Sequence, residues 1–406
     1  MIEKRVIRLQ RKAKEHRGPA DEATIRRQIE EFTPLMTNAD PRAVLHLDTT
    51  KLSFHKERVE AWRRGEHVAP LLIDTALTQK CSYSCTFCFA GLQQLDSTPV
   101  SWERHEMFLE DCAEIGVKAI SLVSDGESTE CPHFVDFVLK AKSLGLDIAV
   151  GTNGLKLTRL DELAEALTYI RININAASPS RNAKIMGTSV ANHHKVLANI
   201  AELVRIKREG GYPVTIGLQQ VLLPEYADQV LPLAILGRSL GVDYLVIKHC
   251  SDDENGRLGV DYGWYKSELA QDLFQAAERI TTPTYSVQAK WSKFKTGSDR
   301  TYSRCFGTPL LLQMSGSGVI APCGSFFSDK YRSFHIGDIK TTRFKEIWQS
   351  EAYKKITSHL ASDQFDPRRQ CASLCLQDKV NEALFDWVEH GTPIPDSPTQ
   401  AHRNFI

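Results

Sequence analysis

From residue 71 onward, short apolar runs alternate with longer stretches whose apolar positions recur every three to four residues. The runs 71–77, 117–125, 146–152, 169–176, 214–223 and 242–250 read as strands, because each is short, apolar and bounded by turn or breaker residues. Between them, 134–144, 161–167, 193–209 and 227–240 carry helical spacing. Gly145, Gly210-Gly211 and Gly241 close three of these helices. Repeated strand–helix units predict a parallel sheet with right-handed crossovers. Six strands are visible and an eight-unit barrel is not, so the expectation is a partial barrel.

In such folds chemistry gathers at the C-terminal ends of the strands. Those ends read Ser124-Asp125-Gly126-Glu127, Thr152-Asn153-Gly154, Asn175 with Ser178, Gln219-Gln220, and Lys248-His249-Cys250 followed by Ser251-Asp252-Asp253-Glu254. Strand ends are polar in any α/β protein, so this rim does not define a site by itself. Asn153 also reads as an ordinary turn residue.

Composition changes little. The chain is 42% hydrophobic and 25% charged with formal net charge zero, so no polyanionic partner is implied by charge. The first 17 residues are locally basic (Lys4, Arg5, Arg8, Arg11, Lys12, Lys14, Arg17) and read as a solvated helix, without the apolar core of a secretory signal. No stretch approaches the length of a membrane-spanning helix. The ten cysteines, clustered and without an export signal, fit a reducing cytoplasm and metal or cluster ligation rather than disulfides.

Candidate chemistry starts in the loop after the first strand, Cys81-Ser-Tyr-Ser-Cys85-Thr-Phe87-Cys88. Three close thiolates hold three corners of a four-iron cluster and leave one iron open, since such clusters ordinarily take four cysteines. Zinc completed by a distant Cys or His is the alternative. The spacing CxxxCxxC with an aromatic before the last cysteine resembles the radical SAM superfamily. That resemblance implies a partial (β/α)6 barrel, a [4Fe–4S] cluster on Cys81, Cys85 and Cys88, and S-adenosyl-L-methionine (SAM) chelating the open iron. Reduction of SAM would then give methionine and a 5′-deoxyadenosyl radical that takes a hydrogen atom from substrate. Asp125-Gly126-Glu127 resembles the family's Gly-Gly-Glu motif with Asp in place of the first Gly, so Gly126 and Glu127 are expected at the amino end of SAM. Phe87 matches the aromatic placed near adenine. Asn153, Asn175, Ser178 and Gln220 are candidates for ribose, carboxylate or substrate contacts.

Further along, Cys305-x12-Gly318-x4-Cys323, then Gly337-Asp338-Ile339 and Cys371-x3-Cys375, resembles the start and end of a SPASM or twitch domain. Four cysteines close one auxiliary [4Fe–4S] cluster or one zinc site. Seven cysteines would mark a full SPASM domain, so the shorter twitch type is expected. The terminal Cys-x3-Cys departs from the commoner closer pair.

Three cysteines remain. Cys112 reads as a core residue of a helix, and Cys131, before Pro132, has no evident partner. Cys250 ends the sixth strand and is a candidate hydrogen-atom donor. Radical SAM epimerases use such a cysteine, so epimerisation is expected. Two-electron dehydrogenation of an alcohol through the auxiliary cluster is the alternative outcome. A buried strand cysteine is the bland reading.

The lead-in 51–55 and Trp62-x2-Gly65 resembles radical SAM proteins of carbohydrate or natural-product pathways. A small polar substrate, carbohydrate- or aminoglycoside-like, is therefore favoured over a ribosomal peptide. Asp252, Asp253 and Glu254 are candidate acceptors for its hydroxyls, or a solvated acidic loop. An electron donor such as flavodoxin or ferredoxin is expected, with no membrane or nucleic-acid partner. The expected organisation is a helical extension over 1–70, the barrel over 71–285, the cluster domain over 286–385 and a tail over 386–406. A zinc-binding scaffold is the non-enzymatic alternative.

Overall fold

The structure is a computed structural model of the full chain and describes residues 20–43, 45–92, 98–253, 255–297, 299–371, 373–396 and 401–406. The basic segment 1–17 and Glu254 lie outside the described residues. The six expected strands are β1 (Leu72–Thr75), β2 (Ala119–Leu122), β3 (Asp147–Thr152), β4 (Tyr169–Asn173), β5 (Thr215–Leu222) and β6 (Tyr244–His249). They pair in sequence order, each parallel to the next. Helices cross between them from β1 to β6, including Trp102–Ile115, Phe134–Ser143, Val190–Gly210 and Val230–Leu240. Ser101 and Ser189 cap their helices by accepting from the amide three residues on.

Four further strands extend this sheet. β7 (Ser286–Ala289) pairs parallel with β6, so the sheet continues past residue 285. β8 (Leu311–Met314) pairs parallel with β1 on its other edge, followed by antiparallel β9 (Val319–Ala321) and β10 (Gly337–Asp338). The result is one ten-stranded sheet in the order β10-β9-β8-β1-β2-β3-β4-β5-β6-β7. The C-terminal cysteine region is thus continuous with the barrel rather than attached by a linker.

Apolar residues on the outer sheet face and inner helix faces make one large core, including Ile120, Ile148, Ile170, Ile216, Phe137 and Leu203. The described residues before β1 include the helices Glu22–Phe32 and Lys56–Arg63. The segment around Leu47 bonds Gln288 of β7 through its amide at 3.0 Å. Residues 401–406 pack where β3, β4 and β5 begin. His402 stacks on Tyr169 with centroids 5.1 Å apart and contacts Thr215, while Asn404 donates to Asp147 at 2.7 Å. These contacts cover the N-terminal end of the barrel. Among the described residues, no helix is long and apolar enough to cross a membrane.

Candidate active site between two cysteine sets

A cavity of about 260 Å³ opens at the C-terminal ends of the strands. Cys81, Cys85 and Cys88 line one wall with Phe87 and Phe89. Gly324, Phe327, Leu374 and Leu376, from the C-terminal cysteine region, line another.

The cysteine loop is held from several sides. Thr86 N–H donates to Ile185 O at 2.9 Å, and its hydroxyl donates to the same carbonyl. Gly187, at φ +59°, closes the helix Pro179–Met186 so tightly on the loop that a Cβ there would sit 2.2 Å from Ser84 O. On the other side, Glu127 N–H donates to Lys80 O at 2.9 Å. Gly126 has φ +87°, and a Cβ on it would lie 2.1 Å from Thr78 O. Only glycine permits both that conformation and that approach.

Asp125 explains the departure from Gly-Gly-Glu. It is 4% exposed and accepts from Gln79 Nε2 at 2.6 Å, Ser315 Oγ at 2.7 Å and Gly316 N–H at 2.8 Å. It therefore ties the Gly126-Glu127 turn both to the cysteine loop and to the turn after β8. Glu127 is equally provided for. Its Oε1 accepts from Thr129 N–H and Oγ1 and from Thr152 Oγ1 at 3.2, 2.9 and 2.7 Å, and its Oε2 accepts Asn153 N–H at 2.7 Å. Burial raises its pKa and these bonds oppose the rise. Oε2 keeps capacity for one more donor. Asn153 Nδ2 is buried at the cavity without a partner.

The other predicted contacts are not on the lining. Asn175 accepts Val221 N–H at 2.7 Å through its side chain, and its carbonyl accepts from Gln220 Nε2 at 3.0 Å. Ser178 precedes the helix Pro179–Met186, and its amide donates to Gln229 Oε1 at 3.2 Å. Asn175 and Gln220 thus serve the backbone behind the cavity, and the Ser178 hydroxyl meets Ser180 Oγ at 3.3 Å. In their place Asn173 and Gln219 face it, side by side in the β4–β5 register and bonded at 2.7 Å. Strand alternation adds Arg171, two residues before Asn173, and Lys248, the register partner of Val221. Gln79 and Gln313 complete the polar lining. The period-two pattern within β4, Arg171-x-Asn173, was the available signal; attention to strand ends passes over it.

Cys250 is fully buried and is not on the lining. It lies in a small apolar cluster with Ala176, Ile185 and Val221, against which Phe87 and Phe89 pack. Burial pushes its thiol well up, so it stays protonated. Asp252 and Asp253 are engaged within their own loop, contrary to the expectation of substrate acceptors. Asp252 caps Leu258 N–H at 2.9 Å, and Asp253 pairs with Arg257. The Asp252 amide donates to Ser373 Oγ at 2.7 Å, which fastens this loop to the segment between Cys371 and Cys375. Cys112 is a core residue of the helix Trp102–Ile115, as expected.

None of the described cysteines is in a disulfide. Burial raises Cys85, reinforced by neighbouring Cys88 and Cys81. In the second set, burial and then Cys375 raise Cys305 to about 11, and burial, Cys375 and Cys305 raise Cys323 to about 12. Cys371 rises through burial and the same three neighbours. Each set is therefore gathered closely enough to disfavour bare thiolates, the condition a bound iron–sulfur group relieves. Among the described residues, no three Cys, His, Asp or Glu side chains surround a single-ion point. A four-iron cluster is broader than one ion, because each thiolate takes a different corner. Burial and then Asp378 raise the Cys375 thiol as well, while Arg300 and Lys293 oppose the rise and so favour the ligating form.

Residues 75–228 match the family model of the radical SAM superfamily, and residues 305–376 match that of SPASM, an iron–sulfur cluster-binding domain. The chain thus carries a radical SAM domain and a SPASM iron–sulfur domain, the combination of the SPASM/twitch subgroup, and its cofactors are SAM, a [4Fe–4S] cluster and auxiliary iron–sulfur. An S-adenosylmethionine-dependent nucleotide dehydratase of Flammeovirga pacifica is 31% identical over 159 residues, 37% of this chain and 54% of that protein. The chain therefore spans about half of that relative. An AdoMet-dependent heme synthase of Methanosarcina barkeri is 23% identical over 312 residues, 71% of this chain and 85% of the relative. Among solved structures, Streptococcus suis SuiB bound to S-adenosylmethionine superposes with TM-score 0.57 at 15% identity, covering 76% of this chain and 72% of that one. The anSMEcpe protein with bound AdoMet gives TM-score 0.52 at 13% identity, covering 79% and 96%. These likenesses show the fold.

Proposed function

We propose that the chain oxidises a small polar, carbohydrate-like substrate by two electrons in the cavity between its two cysteine sets. When bound, the reduced cluster and SAM supply a 5′-deoxyadenosyl radical that removes a hydrogen atom, and the auxiliary cluster supplies an acceptor for the second electron. One observation carries the reading: the same cavity is lined by the Cys81–Cys85–Cys88 loop and by Leu374 and Leu376, which flank Cys375. Glu127 Oε2 and Asn153 hold the amino-acid end of SAM. Phe87 and Phe89 exclude water from the reacting carbon. Asn173, Gln219 and Gln313 offer hydrogen bonds to substrate hydroxyls. Cys81, Cys85 and Cys88 hold the first cluster, and Cys305, Cys323, Cys371 and Cys375 hold the second. A low-potential flavodoxin or ferredoxin is the proposed electron donor.

A second reading is epimerisation with Cys250 returning hydrogen. It is favoured by the neutral thiol packed behind Phe87 and Val221, one side chain from the cavity. Anaerobic reconstitution with SAM and a reductant, scored for iron and 5′-deoxyadenosine, tests both. About eight irons per chain and SAM cleavage are expected for two four-iron clusters. A colourless zinc protein that leaves SAM intact sinks both readings and restores the scaffold alternative. With substrate in hand, a stalled Cys250→Ala variant selects epimerisation.

A further inference from the structure

Arg171 and Lys248 face the cavity from β4 and β6, and neither forms an ion pair among the described residues. Arg171 Nε is buried without a hydrogen-bond partner. Gln313 is 2% exposed, lines the same cavity, and its Nε2 is also unpartnered. Burial holds Lys248 down first, and the cations Arg171, Lys293 and Lys290 lower it further, with the Cys250 thiol opposing them. The outer two lysines are already engaged: Lys290 Nζ donates to Leu47 O, and Lys293 Nζ to Cys375 O at 3.4 Å. The nearby carboxyl, Asp74, is buried and pushed up to about 7 with Arg171 opposing the rise, so near neutral pH it offers Arg171 only part of a charge.

An unmatched buried cation is costly, and a buried donor without a partner adds to the cost. Two such cations and an orphan amide at one cavity therefore await an anion. The two cations stand on β4 and β6 and Gln313 on β8, whereas the Glu127 and Asn153 positions for SAM follow β2 and β3. A single carboxylate balances only one of the two charges. A phosphoryl group balances both, and its oxygens suit the guanidinium fork and the point charge of lysine together. We propose that Arg171, Lys248 and Gln313 form an anion subsite that binds a phosphoryl group of the substrate. The proposal deepens the reading above, because it assumes that this cavity holds substrate.

The test uses the full chain with both clusters reconstituted anaerobically and SAM present, titrated calorimetrically with inorganic pyrophosphate and, separately, malonate. Saturable pyrophosphate binding, stronger than malonate binding, is expected. Lys248→Met and Arg171→Gln should each weaken it by about tenfold to a hundredfold, the scale of one lost charge-assisted hydrogen bond. Lys248→Arg should retain most of it. Cluster absorbance and thermal unfolding of the same samples establish that the variants are folded. Absence of pyrophosphate binding, equal binding by folded variants, a preference for malonate, or competition between pyrophosphate and SAM would each overturn the proposal. No step depends on turnover. Pyrophosphate binding without 5′-deoxyadenosine formation would leave the subsite standing and remove the radical reading.

Discussion

Glu127 and Lys248 both bring a charge to a strand end at one cavity, and their surroundings differ completely. Glu127 receives donors from Thr129, Thr152 and Asn153 and sits beside Asp125, itself bonded to Gln79, Ser315 and Gly316. Lys248 is buried in the field of the cations Arg171, Lys293 and Lys290, with a thiol opposing them. A charge whose partners are built in shapes the protein around a cofactor that the whole family shares. A charge without partners marks the place where this chain's own ligand supplies them.

The strongest challenge to the carboxylate side is Gly126→Ala. With a positive φ and a contact at 2.1 Å, the methyl group must push the turn off Thr78. A loss of more than about 2 kcal/mol in stability is expected from conformational strain and overpacking, together with loss of SAM binding. Denaturant unfolding and SAM titration measure these. Next comes Glu127→Gln, which turns an amide donor toward groups that already donate. It should cost about 1–3 kcal/mol and weaken SAM binding while leaving pyrophosphate affinity intact. If both affinities fell together, the two ends of the cavity would be one site and the contrast would fail.

On the cation side the stability effect has the opposite sign. Lys248 is held down to about 7 by burial and by Arg171, Lys293 and Lys290. An unfolded lysine titrates near 10.4. Between those values the unfolded chain binds more protons, so this residue's penalty is full below about pH 7 and fades as pH rises. Lys248→Met should therefore raise the melting temperature, most at or below pH 7. An unchanged or lower value would mean that Lys248 has a hidden partner.

The same pKa sets the pH dependence of anion binding. An arriving anion raises the pKa of Lys248, so binding above pH 7 requires uptake of a proton. Affinity for sulfate, which does not titrate there, should fall with rising pH by up to about tenfold per unit. A flat profile would remove Lys248 from the subsite. The smallest effect is expected for Cys250→Ala: roughly 1 kcal/mol or less of stability from a small buried side chain, and nearly full turnover if the reaction is oxidation.

Much of this was legible in the sequence, and the gaps have physical causes. The six-strand series stood out because the apolar runs are short and bounded by turn or breaker residues, and three of the four helices stop at a glycine. Ser-Val-Gln-Ala at 286–289 is too short to show alternation, so β7 escapes. Nothing in Leu311–Met314 says which strand it will join, because pairing with β1 is a long-range choice. The cysteine triad, Gly126 and Glu127 were readable from spacing. Arg171 was not singled out, because it sits within a strand, where a polar residue facing the lumen looks like one facing solvent, and Lys248 was legible only as one member of a polar rim. Asn175 and Gln220 show a strand end whose polar side chains bond the backbone behind the cavity.

The pairing of β8 with β1 bears on any attempt to dissect the protein. A chain cut after the barrel would lose a strand from the middle of a sheet, along with the Ser315 and Gly316 contacts that hold Asp125. It would bare the flank of β1, immediately before the cysteine loop, and an open flank invites pairing with other chains. The minimal functional piece is therefore the whole sheet. Truncation should yield aggregates and not a smaller SAM-cleaving enzyme, and the two redox centres can be exchanged between relatives only as a unit.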